Sequence, residues 1–268
     1  KTDLIKLQTN DTAKLIAEKL RTEISARVEG LQVFDRFAGF SGATAKSKKG
    51  ARRKPAAAVT DRANLSAGSG VLRVSRYLFD AGEIRRGYSR DIVAEQQKVE
   101  IAPGAFARDE ERLAERLKAV FRGQTLLLTR TQSFGKPVWF IAFPVIEGEV
   151  AQRVITAYLS TEVLDSAFTS RAYTSFFVDS DRALVVHSDK KETLAARNFK
   201  DHPAVEFLQG QETRIGFSIY RNNATKHDYF GAFSKLDIGT TAVVVEMEKD
   251  RALESVNRLR ITSALIAG

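Results

Sequence analysis

Cysteine is absent from the 268-residue chain, and methionine and tryptophan occur once each. Without thiols there is no disulfide scaffold, no iron–sulfur cluster and no thiolate zinc site. Histidine is nearly as scarce. His187, His202 and His227 are the only three and are widely spaced, which argues against a multi-histidine metal centre. No apolar run approaches the ~20 residues of a membrane-spanning helix. Catalytic signatures are missing too: neither GxxxxGK[ST] nor GxGxxG occurs, nor HExxH, a GxSxG elbow or the kinase set. His187-Ser188-Asp189 has the residue types of a hydrolase triad, but consecutive residues at a strand end cannot bond head-to-tail. Asp179 and Asp181 offer oxygens to a cation, yet a hairpin turn uses the same residues for local backbone bonds. Glu110 and Glu111 read as first-turn acids favoured by the helix dipole. The sequence therefore reads as no enzyme, with no cofactor and no metal.

The composition itself is globular, with 43% hydrophobic and 28% charged residues, and the length suits one large domain or two modest ones. The net charge of +9 is local. Lys46, Lys48, Lys49, Arg52, Arg53 and Lys54 include no acid, and setting those six aside leaves +3. No aromatic lies between Phe40 and Tyr77 to stack on a base, so nucleic acid is not the expected partner. The segment reads as a solvated loop, with anionic lipid headgroups as the alternative contact. With Lys as its first residue, the chain is expected to be an excised piece of a longer protein. The last residues, Ala264-Leu265-Ile266-Ala267-Gly268, turn apolar after Arg258 and Arg260; they read as a helix end or as the first turn of a membrane helix.

Residues 3–37 are helical by period: Ile16, Leu20, Ile24, Val28, Leu31 and Phe34 recur every three or four positions, with Gly39 and Gly42 as the stop. About 35 residues at ~1.5 Å each span roughly 50 Å. Such a helix lies along two modules or pairs with a copy of itself. A hairpin is expected from Val71 through the turn at Asp80-Ala81-Gly82 toward Tyr88, then a helix over 109–122. Strands follow at 126–130, 138–145 and 154–159, and a short helix at 160–168 closes the set. The order then repeats: a hairpin at 174–178 and 183–187, a short helix to Gly210, strands at 213–220, 226–233 and 241–246, and a helix from about Lys249. Residues 136–143 align with 226–233 at an offset of 90, Gly123-Gln124 with Gly210-Gln211 at 87, and 154–168 with 242–256 at 88. Three ordered matches at nearly one offset imply an internal duplication.

Phe176-Phe177-Val178-Asp179 leading to Val185-Val186-His187-Ser188-Asp189 resembles the hairpin of the double Cache family, the PAS-like extracytoplasmic sensor domains of bacterial transmembrane receptors. The runs 229–236 and Val243-Val244-Val245-Glu246 are similar to that family's final strands. In the first repeat, Ile141-Ala142-Phe143-Pro144-Val145 and Ala157-Tyr158-Leu159-Ser160 look like its corresponding strands. The resemblance implies an α/β (α+β) fold. A long N-terminal helix (1–42) and a basic loop (43–70) precede two tandem PAS-like modules with antiparallel sheets, one membrane-distal (71–170) and one membrane-proximal (171–250), and a C-terminal helix (251–268) leads to a membrane span. It further implies a periplasmic or extracellular location, membrane at both termini, a homodimer through the N-terminal helix and a small-molecule ligand. The proximal hairpin and last strands look most like those of receptor-type adenylate/guanylate cyclases, whose catalytic part lies elsewhere in the full-length protein; the alternatives are the sensor of a chemoreceptor or histidine kinase, or a dimerisation module without a small-molecule ligand. Amino-acid-sensing members carry an RxWY segment and an Asp for the ligand amine. Here residues 109–122 lack that segment and Tyr158 stands at the Asp position, which disfavours an α-amino acid. Arg130, Trp139 and Tyr158, on neighbouring strands, are the expected ligand contacts: a fork for an anion, a flat ring and a hydroxyl.

Overall fold

The structure, a computed structural model, describes residues 2–43 (side chains to 36), 70–80, 83–92, 96, 101–130, 134–148, 150–169, 172–195 and 199–254. The basic segment Lys46–Lys54, the module break expected near Arg171 and residues 255–268 lie outside these.

Helix α1 runs Thr2–Ala43. It continues through Gly39 and Gly42, where the sequence predicts its stop. An interior glycine costs only about 1 kcal/mol of helix stability, so it ends a helix only where the backbone turns left-handed. Two five-stranded sheets follow. The first contains β1 (Val71–Asp80), β2 (Glu83–Asp91), β3 (Leu126–Arg130), β4 (Val138–Glu147) and β5 (Val150–Ser160), in the spatial order β2-β1-β5-β4-β3. The second contains β6 (Thr174–Val178), β7 (Leu184–His187), β8 (Ile215–Arg221), β9 (Asp228–Lys235) and β10 (Ala242–Glu248), ordered β7-β6-β10-β9-β8. The two orders are the same five-strand plan, as the duplicated sequence requires. Each sheet is a hairpin joined antiparallel to the last strand of a meander.

Helix α2 (Ala105–Phe121) covers one face of the first sheet. It begins four residues before the expected Asp109, behind a left-handed Gly104. Glu110 is therefore not a first-turn acid: it lies in the second turn, buried against the sheet, while Glu111 stays exposed. The second sheet is covered by α3 (Lys190–Ala195) and α4 (Pro203–Gln209). The single short helix expected before Gly210 is thus two. Helix α4 begins at Pro203, with His202 capping it by accepting the Ala204 N–H.

The chain divides into two compact units: Thr22–Leu126 with Arg130–Val163, and Lys1–Arg21 with Leu127–Thr129 and Leu164–Gly268. In the first, α1 meets the back of the sheet through Asp35, which is buried. It accepts from Arg153 Nε at 2.9 Å and lies 3.5 Å from Arg76. In the second, Ile5 of α1 packs with Phe230 and Ala252, flanked by Phe217, Met247 and Leu253. Among the described residues no helix is long and apolar enough to cross a membrane.

Candidate functional site

Alternation along a strand decides which of the expected contacts can meet. Phe140 of β4 stands opposite Tyr158 of β5, and Arg73 of β1 stands on Tyr158's other side, so these share one face. Trp139 is paired with Leu159 and therefore points to the other face. Trp139 is fully buried there, and its indole N–H donates to the Ser160 carbonyl at 3.1 Å. The structure thus brings Arg130 and Tyr158 together and leaves Trp139 behind the sheet.

What joins them is Asp109, a residue that the sequence reading passed over. From α2 its carboxylate accepts Arg130 Nε at 2.8 and 2.9 Å, with a further bond from the Arg130 terminal nitrogen. The Tyr158 hydroxyl donates to the same carboxylate at 3.1 Å. Burial, with Asp109 beside it, pushes the Tyr158 phenol far above its ordinary range, so it serves as a donor. One turn position on, Glu110 accepts Arg86 at 2.7 Å and the Ser75 hydroxyl at 3.1 Å, and Arg73 Nε lies 3.1 Å away. Phe106, Phe134 and Phe140 surround the Tyr158 ring at centroid distances of 5.0–5.4 Å. Arginines with acids, under aromatic rings, make a layer able to recognise a small charged molecule that competes for Arg130 or Asp109.

The second module holds its own polar layer between β-sheet and α4. Glu246 of β10 accepts the Tyr220 hydroxyl, and His202 Nε2 approaches the same oxygen to 3.7 Å. Phe176, Phe199 and His202 pack against one another at centroid distances of 4.9–5.3 Å. Gly231 makes room: a Cβ there would lie 2.5 Å from the Tyr220 ring, so only glycine lets that ring cross the sheet to Glu246. His187, Ser188 and Asp189 form no triad. His187 Nδ1 accepts the Asp189 N–H at 2.9 Å, a local turn. Asp179 likewise turns its carboxylate to the Asp181 and Ala183 N–H groups, at 2.8 and 2.9 Å. Beside these, a cleft of about 440 Å³ is lined by Asp165, Phe168, His187 and Lys190, with Lys190 bonded to Asp165 at 2.7 Å.

No family model and no curated protein matches the chain. Solved structures do. The ligand-binding domain of the Pseudomonas fluorescens chemoreceptor CtaA, in complex with L-isoleucine, is 16% identical with a TM-score of 0.56 over 95% of this chain and 96% of that one. The extracellular domain of a candidate histidine kinase is 12% identical, with a TM-score of 0.54 over 94% and 98%. A Campylobacter jejuni chemoreceptor domain, in complex with 4-methylisoleucine, is 11% identical, with a TM-score of 0.51 over 92% of each chain. The chain therefore has the fold of receptor ligand-binding domains, over nearly its whole length. These neighbours are sensor domains, not catalysts.

Proposed function

We propose that the chain is the periplasmic or extracellular sensor domain of a membrane-anchored receptor, of the double Cache type, and that its first module binds a small molecule bearing a carboxylate. The observation that carries the ligand site is the Arg130–Asp109–Tyr158 cluster buried between α2 and the sheet. A ligand carboxylate takes the Arg130 fork in place of Asp109, and a ligand ammonium, where there is one, takes the released Asp109. An amino acid, which Tyr158 alone would disfavour, is thereby readmitted. Binding that moves α2 against the sheet biases the receptor between two states. Chemoreceptor or histidine-kinase output is favoured by the solved neighbours; a nucleotide cyclase has only the sequence resemblance behind it. Self-association through α1 is supported by its exposed Leu4, Leu7 and Leu15.

One observation favours a second reading, a module without a small-molecule ligand: Arg130 and Tyr158 already satisfy one another through Asp109. Calorimetry with a panel of amino acids and simple carboxylates separates the two. The ligand-binding reading expects a hit that raises the melting temperature. It also expects Arg130→Ala to cost on the order of 1–3 kcal/mol of affinity, with His187→Ala leaving it intact. A panel without a single hit supports the ligand-free module, and loss of binding only in His187→Ala places the site in the second module.

A further inference from the structure

Glu246 is a buried carboxylate that the ligand site does not use. It stands 6% exposed on β10, opposite Gly231 of β9 and Thr174 of β6. Tyr220 reaches it from β8, and Tyr229 of β9 stacks on Tyr220 at 6.0 Å. From the cap of α4 comes His202, with the Asn222 amide 3.5 Å from its Nε2. His187 of β7 lies 6.0 Å from the Phe199 ring, which stacks on His202 at 5.3 Å. Among the described residues, no lysine or arginine pairs with Glu246. His202 does not supply the missing cation. Its Nδ1 accepts the Ala204 N–H at 3.3 Å, which puts the ring proton on Nε2, and burial lowers its pKa to about 4. An ionised Glu246 has one phenol and a neutral imidazole 3.7 Å away, beyond hydrogen-bond reach.

We propose that Glu246 is a proton-binding site, and that the second module reads pH through it, independently of what the first module binds. A carboxylate held in an apolar layer without a cation favours its neutral form. Burial accordingly pushes Glu246 up to about 7, with the Tyr220 hydroxyl opposing that rise. When the proton leaves for solvent, a negative charge remains two residues along β10 from Val244, which pairs with Phe176 and Phe233 in the apolar cluster of that module. Relief comes from closing the 3.7 Å gap to His202 or from admitting water. Either one moves the α4 cap or Tyr220. The same strand ends at Glu248 and continues directly into helical residues 249–254, so the charged and neutral forms of Glu246 present different strand ends to that helix.

The test is a carboxyl-detected NMR titration of the chain, labelled with ¹³C at glutamate side chains, from about pH 4 to pH 9. The expected result is one carboxyl with a midpoint near 7 that is missing from Glu246→Gln, with amides of 202–209 and 249–254 shifting at the same midpoint. A midpoint in the ordinary glutamate range overturns the proposal; so does a midpoint near 7 that the amides of 249–254 do not follow. Should Glu246→Gln fail to fold, Tyr220→Phe replaces it. Loss of the hydroxyl donor should raise the midpoint by about one pH unit, roughly tenfold tighter proton binding. An unmoved midpoint in Tyr220→Phe counts against the site.

Discussion

The two modules place the same pair of groups, a tyrosine hydroxyl and a buried carboxylate, between sheet and helix, but they exchange the supports. In the first, the phenol is on the central strand (Tyr158 of β5) and the acid on the helix (Asp109). In the second, the acid is on the equivalent central strand (Glu246 of β10, 88 residues on) and the phenol on the edge strand β8. The partners differ more than the pair does. Arg130 neutralises Asp109, with Arg73 and Arg86 on the neighbouring Glu110, whereas among the described residues Glu246 meets Tyr220 and a neutral His202 and no cation. Duplication kept the apolar frame and released the polar layer to diverge. One layer is thereby suited to exchanging ion-pair partners with a ligand, the other to exchanging a proton.

The largest expected difference is in the cost of removing each acid. Asp109→Leu leaves the Arg130 guanidinium, largely buried, without its carboxylate, and Tyr158 without its acceptor. Breaking a buried pair from one side costs about 3–5 kcal/mol. Denaturant unfolding at pH 8 should show this loss. Glu246→Gln should go the other way, gaining roughly 1–2 kcal/mol at pH 8, since it removes an unpaired buried charge. If both variants lose stability alike, the two layers are equivalent and the contrast fails.

The pH dependence sharpens the contrast next. Glu246 has its folded pKa raised to about 7 from 4.5, so its contribution is fully present below 4.5 and is lost as pH rises through 7. His202 has its folded pKa lowered to about 4 from 6.5, so its contribution is present above 6.5 and is lost as pH falls toward 4. The two oppose each other between 4.5 and 6.5; below that window His202 acts alone, and between 6.5 and 7 Glu246 does. Melting temperature against pH in Glu246→Gln should therefore lose the fall between pH 6.5 and about 7 and gain a rise between 4.5 and 6.5, where His202 is no longer opposed. His202→Asn is the gentler change, because asparagine still caps α4. It should cost about 1 kcal/mol or less at pH 8, remove the acid limb near pH 4 and expose the Glu246 fall from 4.5 to 7. An acid limb that persists in His202→Asn assigns it to another group.

How much of this was legible in sequence follows from which signals are local. The strand order came through because period, turns and an offset near 88 are all written along the chain. Tyr158 and Arg130 draw notice in the sequence because they stand out as polar groups on apolar strands. Asp109 and Asp35 were not, because an acid on a helix looks the same whether it faces water or an arginine. Asp35 pairs with Arg153 across 118 residues, and no one-dimensional pattern carries that separation. Glu110 was placed at the helix start only because the helix was begun at Asp109; the left-handed Gly104 was the missed signal. The facing of Trp139 was hidden for another reason. On a strand buried on both faces, hydrophobicity does not alternate, so the sequence leaves the facing of each side chain open.

Trp139 supplies the last and smallest expected effect. It shares β4 with Phe140 but faces away from Tyr158 and Asp109, and its N–H is spent on the Ser160 carbonyl at 3.1 Å. Trp139→Phe removes that bond and part of a ring from a fully buried site. A loss of about 1–2 kcal/mol of stability is expected from the unpaired carbonyl and the volume change. Affinity for whatever the first module binds should stay within about twofold, because the sheet itself stands between this ring and the Arg130 cluster. Tyr158→Phe is the control. It keeps the ring among Phe106, Phe134 and Phe140 but frees Asp109 from its phenol, so affinity should change there while packing holds. Calorimetry on the two variants reads the difference directly. Affinity that falls in Trp139→Phe and stays level in Tyr158→Phe would place the ligand on the α1 face of the sheet and refute the assignment to the α2 face.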